Sequence, residues 1–378
     1  MEKLKIGIIG CGYWGPNLVR NFSACPLTEV AAVCDSSPAR LEKFRQTHGH
    51  LKLVGSLDEL LDLPLDAVAI ATPVTTHYSL GKRCLEAGLH VLIEKPLAAS
   101  VEEARALVEL ADRHGQILMV DHTYLFNNSV RKIKELVEAG ELGDLYFIDS
   151  IRINLGLFQH DINVIWDLAP HDLSIADHII GAEARSISAW GCAHADRGIE
   201  DIAYVNVDYG DRMLANFHVN WLSPVKIRQM IFAGSRKGLI FNELNATEPI
   251  KVYDRGIELG EAAEGAEGRH KLLVGYRSGD VWSPHVEPSE ALQGMVTHFA
   301  ECIRDGTTPL SDGRMGLRVV QQLEAANRSV RAQGGRVVLS QGAYASAKTD
   351  ASSNRPGEWD QDRGGRPART RRDHSLLR

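Results

Sequence analysis

Gly10-Cys11-Gly12-Tyr13-Trp14-Gly15 follows the apolar run Lys5–Ile9 at once and runs straight into Pro16, and no other stretch restricts the fold so narrowly. In a G-x-G-x-x-G loop between strand and helix, Gly10 permits the tight turn, Gly12 lets the backbone approach a pyrophosphate, and Gly15 allows close packing of helix on strand. Pro16 suits the first helical position, and the unpaired N–H groups there would face an anion. Asp35 closes the next apolar run, Val30–Cys34, twenty residues beyond Gly15. A carboxylate at that point accepts hydrogen bonds from ribose hydroxyls and repels a 2′-phosphate. NAD is therefore the expected cofactor. Ser36, Ser37 and Arg40 would suit a 2′-phosphate, so NADP stays open, and Arg40 could equally lie over an adenine face. Tyr13 and Trp14 would line the cofactor or pack beneath the loop.

Further along, short apolar runs alternate with helix-length amphipathic segments, the pattern of a doubly wound parallel sheet. The expected strands are Lys5–Ile9, Val30–Cys34, Leu51–Val54, Ala67–Ala71, His90–Ile93 and Gln116–Val120, with helices such as Pro16–Phe22 and Val101–His114. Ser100 caps the latter, with Glu102 and Glu103 in its first turn. Beyond about residue 125 the rhythm becomes α+β. A helix at Ser129–Ala139 precedes the strand runs Leu145–Asn154, Arg185–Ala193, Ala203–Tyr209, Met213–Trp221, Arg228–Phe232 and Leu239–Asn242. Helices are expected at Leu168–Ile180, ended by Gly181, and at Glu290–Arg304 and Gly313–Ala332. The fold class is thus α/β: a Rossmann domain over 1–124 and an α+β domain with an open, mostly antiparallel sheet over 125–344. The Arg-, Pro- and Gly-rich stretch 345–378 reads as a disordered basic tail.

Charge and composition exclude several classes. Forty-two Lys+Arg against 49 Asp+Glu give a net charge of -7, which disfavours a nucleic-acid or anionic-membrane partner. No run reaches the roughly 18 apolar residues of a membrane span, and Ile6–Ile9 is too short for a signal peptide. The six cysteines are scattered without a C-x-x-C pair, as expected of reduced thiols in the cytoplasm.

Glu94-Lys95-Pro96 ends the fifth expected strand, beyond whose carboxyl end ligands of doubly wound sheets bind. With the glycine loop, Ala71-Thr72-Pro73 and Asp167-Leu168-Ala169-Pro170-His171, it resembles the glucose-fructose oxidoreductase / inositol dehydrogenase / rhizopine catabolism family over roughly residues 3–340. The resemblance implies NAD(P)-dependent oxidation or reduction of a sugar, nucleotide-linked sugar or cyclitol. Lys95 matches the family's catalytic lysine, and Asp167 and His171 its D-x-x-x-H pair. Val74 departs from the Asn that many members carry after Thr-Pro.

The residue chemistry agrees. Asp167 and His171, four apart on one helical face, reach one substrate hydroxyl, and imidazole suits proton removal near neutrality. Lys95 would stabilise developing alkoxide or take the proton itself, and Asp167 would orient the lysine, the histidine or a sugar hydroxyl. Thr72, Pro73 and His77 are expected at the nicotinamide ribose, His77 alternatively as a plain helix residue, and Glu94 beside them. Asp121, His122 and Tyr124 follow the sixth strand, where family members place residues close to substrate. Arg152 and Asn154 would meet a substrate carboxylate or phosphate, or be solvated strand positions. A metal site at Asp167 and His171 with His160 and Asp161 is the weaker reading, because hydride transfer needs no metal. The family also allows an NAD-retaining glycosidase working by transient oxidation and a non-catalytic, dinucleotide-gated regulator; retention of Lys95 and His171 opposes the regulator. An open sheet with an apolar face suggests a homo-oligomer, dimer or tetramer.

Overall fold

The computed structural model describes residues 2–156, 158–195, 198–259 and 274–339; the stretch read as a basic tail lies outside them. Strands β1 (Leu4–Ile9), β2 (Thr28–Cys34), β3 (Lys52–Val54), β4 (Ala67–Ile70), β5 (His90–Glu94) and β6 (Leu118–Asp121) form one sheet in the order β3-β2-β1-β4-β5-β6, with every pair parallel. All four residues of β4 are buried, as befits a central parallel strand covered on both faces. Helices α1 (Gly15–Ala24), α2 (Pro38–His48), α3 (Leu57–Leu61), α4 (His77–Glu86) and α5 (Val101–His114) make the crossovers. The Ser100 hydroxyl accepts the Glu103 N–H at 3.2 Å, fixing the start of α5 where the sequence places it. Strand order reverses between β1 and β4, the switch point at which such sheets bind ligands.

The second layer holds α6 (Asn128–Glu138), β7 (Leu145–Leu155), α7 (Val164–Ile180), β8 (Ser186–Cys192), β9 (Ile202–Gly210), β10 (Met213–Asn220), β11 (Leu222–Gly234), β12 (Gly238–Asn242), β13 (Ile250–Leu259), β14 (Val274–Trp282), α8 (Ala291–Asp305), α9 (Gly313–Arg331) and β15 (Val337–Val338). The sheet order is β14-β13-β12-β11-β7-β10-β9-β8-β15. It is antiparallel except for β7 beside β10. β13 and β14 are absent from the sequence reading because Lys251, Asp254, Arg255, Arg277 and Asp280 blur their alternation; charged residues are what a sheet edge favours.

The apolar core does not part at residue 124. Phe22 and Met119 share one buried cluster with Phe126, Met295 and Phe299, and the Val120 N–H donates to Ser311 O at 2.8 Å. The chain after 310 thus returns to the edge of the parallel sheet.

Candidate active site

Lys95 follows β5 directly, and its side chain is 13% exposed. Its Nζ donates to the Asp167 main-chain oxygen at 2.8 Å and approaches Asp167 Oδ1 at 3.5 Å. The other carboxylate oxygen, Oδ2, accepts from Trp221 Nε1 at 3.0 Å. Of the roles open to Asp167, orienting the lysine is therefore the one the geometry builds. Asp167 can do this because α7 starts four residues earlier than the expected Leu168: the Asn163 side chain accepts the Trp166 N–H at 3.2 Å as its cap. Pro170 is the seventh residue of α7 and lies inside it, where it leaves the Trp166 carbonyl without its helical N–H.

His171 lies one turn beyond Asp167, its ring edge-on to Tyr124 at 5.0 Å between centroids. Burial, then the positive charges of Lys95 and Arg152, push its pKa well below the ordinary histidine value, so the ring is neutral and able to accept a proton. Among the described residues its Nδ1 has no hydrogen-bond partner, nor does either nitrogen of His122, nor Asn154 Oδ1. His122 is 1% exposed, and burial and Lys95 push its pKa down to about 3. Unpaired buried polar atoms are rare and costly; those of His122 and His171, both within reach of the Lys95 charge, fit a site completed by a polar ligand.

Glu94 and Asp121 are register partners at the ends of β5 and β6, and both are buried. Burial, and Asp121 beside it, hold the Glu94 carboxyl well above the usual range; burial raises Asp121 as well. Two adjacent buried carboxyls disfavour each other's charge, and the positive charge of Lys95 beside them works the other way on both.

Two expected ligand contacts are placed otherwise. Arg152 is 3% exposed. Its Nε and Nη2 donate to Asp172 at 2.7–3.0 Å, and its Nη1 reaches Tyr124 Oη at 3.2 Å and Glu243 at 3.2 Å. The guanidinium is spent on a buried network, because an unpaired charge there would be far costlier. His77 is also 1% exposed, its ring nitrogens 2.9 Å from Pro96 O and 2.8 Å from Thr72 O, which leaves neither free for a ribose. Tyr124 donates to Glu243 at 2.8 Å, as does Arg228 at 2.6 Å. Trp221, Arg228, Glu243 and Asp172 have no motif. Only Asp172 leaves a signal, a carboxylate within the apolar stretch of α7.

The cofactor end fits a dinucleotide. Gly10 has φ +98°, and a Cβ there would lie 2.5 Å from Ala71 O; a Cβ on Gly15 would lie 2.1 Å from Gly10 O; a Cβ on Gly12 would meet nothing within 4 Å. Gly10 and Gly15 are thus required by the fold, and Gly12 leaves the loop's outer side bare. α1 has no side-chain cap and no acidic residue in its first turn, so its own first turn brings no carboxylate to compete with an anion. Asp35 Oδ2 accepts the Cys11 N–H at 3.0 Å and Oδ1 the Ser37 N–H at 2.8 Å. Despite burial, these bonds and Arg40 hold its carboxyl below the usual value, so it stays ionised. Ser36, Arg40 and Tyr13 are exposed around it, Trp14 is 42% exposed, and Thr72 is half-buried with Pro73 exposed. Among the described residues no three His, Cys, Asp or Glu side chains gather as metal ligands, and no helix is long and apolar enough to cross a membrane.

The model of the oxidoreductase family with an NAD-binding Rossmann fold matches residues 4–122, and that of the GFO/IDH/MocA C-terminal domain matches residues 130–240. The chain belongs to this family. A D-apiose dehydrogenase of Paraburkholderia graminis is 26% identical over 348 residues, 88% of each chain. The uncharacterized oxidoreductase YrbE of Bacillus subtilis is 28% identical over 232 residues, 57% of this chain and 66% of its own length. Among solved structures, the UDP-N-acetylglucosamine 3-dehydrogenase of Acidithiobacillus ferrooxidans superposes with a TM-score of 0.72 at 26% identity, over 88% of this chain and 99% of that one. The WlbA dehydrogenase of Bordetella pertussis, solved with NADH and UDP-GlcNAcA, shares the fold at TM-score 0.75 and 20% identity, over 90% and 99%. As a GFO/IDH/MocA member the protein is an NAD(P)-dependent oxidoreductase acting on CH–OH groups.

Proposed function

We propose that the protein oxidises a secondary hydroxyl of a sugar, nucleotide-linked sugar or cyclitol, or reduces the matching ketone, with NAD preferred over NADP. The carrying observation is the lysine held on Asp167 one helical turn from a neutral histidine with an unpaired nitrogen. His171 takes the hydroxyl proton, and Lys95 hydrogen-bonds the reacting oxygen as negative charge develops on it. NAD, when bound, accepts the hydride. Asp167 keeps the lysine in place; His122 and Asn154 offer unpaired atoms to further substrate hydroxyls, with Tyr124 beside His171. Asp35 favours NAD because a 2′-phosphate would meet its charge. Relatives named for D-apiose, inositol and UDP-N-acetylglucosamine support a polyhydroxylated substrate. Copies associate through the outer face of the second sheet, and scattered free cysteines accord with the cytoplasm.

The test is a panel of cyclitols, free sugars and nucleotide sugars with NAD and NADP in parallel, read at the absorbance of the reduced nicotinamide. Reduction of NAD by at least one polyol is expected. Cleavage of a glycoside with no net reduction would replace the dehydrogenase with the NAD-retaining glycosidase.

A further inference from the structure

α4 begins at His77, and this histidine faces away from the ligand position it was expected to take. Its ring lies between two loops that reach the site from different strands: the Thr72 loop after β4 and the Lys95-Pro96 segment after β5. Nδ1 is 2.9 Å from Pro96 O and Nε2 is 2.8 Å from Thr72 O. Beside that ring the Thr76 hydroxyl donates to Thr72 Oγ1 and lies 2.7 Å from Pro73 O. The same Thr72 loop backs the glycine loop, since a Cβ on Gly10 would touch Ala71 O and the Thr72 methyl. Lys95 therefore has two tethers, its Nζ on Asp167 and its following carbonyl on His77.

We infer that His77 is a positioning residue for hydride transfer, locking the lysine segment to the nicotinamide-side loop so that both keep one spacing. The inference rests on the proposed reaction. The tie is polar as well as steric. Two carbonyls can both be satisfied only by a ring with two N–H groups, whereas burial, with Lys95 adding to it, lowers the ring's pKa despite those carbonyls. The two short contacts are those of a ring carrying both N–H groups; loss of one proton would leave a bare nitrogen against a carbonyl oxygen and free one of the two loops.

His77→Phe keeps the ring and removes both nitrogens; His77→Gln restores a donor. In folded His77→Phe, kcat is expected to fall about tenfold, the equivalent of one buried hydrogen bond, with substrate KM unchanged and His77→Gln recovering part of the loss. Hydrogen exchange supplies a readout independent of turnover. Amides of 71–76 and 95–98 should exchange faster together in His77→Phe, with α1 unaffected. Wild-type kcat in His77→Phe, or faster exchange confined to α4, overturns the inference. Should the wild type turn over no polyol, the exchange experiment still decides the tie, and only the proposed reaction fails. Should His77→Phe not fold, His77→Gln is read in the same two ways: wild-type exchange with a lowered kcat, or faster exchange limited to α4, counts against the tie, and paired faster exchange supports it.

Discussion

The positive charge of Lys95 reaches His171 and, after burial, is the largest cause that lowers the pKa of its ring. Lys95→Ala should lower kcat by about 10²–10⁴-fold, the range for loss of a proton-transfer or oxyanion partner, while calorimetric affinity for NAD stays the same. Lys95→Met removes a positive neighbour of His171, so the imidazolium becomes easier to form and the His171 pKa rises; NMR titration of the ring would show the shift. With Lys95 intact the His171 pKa lies well below its ordinary value. The base form then persists as pH falls, and kcat/KM for oxidation should hold its plateau below pH 6 rather than decline with an ordinary histidine. A decline centred on the ordinary histidine value would show that burial does not govern this group. The meeting of Lys95 with Asp167, and His171 one turn on, were readable at this scale because the motif spacing places them there. Arg152 was misread, and His77 takes its alternative reading as a first-turn helix residue, because sequence position gives a side chain's strand end or helix turn but not which carbonyl or carboxylate waits opposite.

The glycine loop is decided at the scale of the element. Gly10→Ala forces a Cβ into a left-handed backbone and against Ala71 O, costing at least about 1–3 kcal/mol, and should lower the melting temperature as well as NAD affinity. Gly12→Ala meets no protein atom, so it should melt with the wild type and lose only cofactor affinity. Equal melting losses in the two would mean that Gly12 also serves the fold. Helix α7 shows the limit of reading by pattern. Its C-terminal stop at Gly181, in the left-handed region, is a local signal and was placed correctly. Its start is displaced because Asn163 caps it from outside the apolar periodicity and Pro170 looks like a beginning rather than an interior residue.

Over the whole molecule, the outer face of the second sheet carries Phe147, Trp190, Tyr204 and Leu214, each 39–58% exposed. Leu214 pairs with Phe147 across β10 and β7, and Tyr204 with Trp190 across β9 and β8. The two apolar pairs stand at separate ends of the face, with Asp149, Asn206 and Asn216 between them, and the proposed association would cover both. The proposed association predicts a wild type larger than one chain in light scattering and a monomer for Leu214→Asp with Tyr204→Lys; a wild type that is already monomeric removes the proposal. Stability should also depend on pH through His122. Its folded pKa of about 3 lies below the unfolded 6.5, so the unfolded chain binds the extra proton first. The contribution is complete above pH 6.5 and is lost towards pH 3, at up to about 1.4 kcal/mol per pH unit. Melting of His122→Phe should therefore fall less than the wild type between pH 7 and pH 4.5, a comparison in which the oppositely signed titrations of Glu94, Asp121 and Asp177 cancel.

The sequence alone determined the doubly wound sheet, the dinucleotide loop, the carboxylate after β2, the lysine after β5 and the aspartate–histidine pair, since each depends on contacts within a few turns or on strand periodicity. Tertiary structure decided what Arg152, His77 and Glu243 do. Glu243 meets Tyr124 across 119 residues, and His77 takes Pro96 from the next strand's end; a buried charge or ring nitrogen takes whichever partner the packed layers bring within reach.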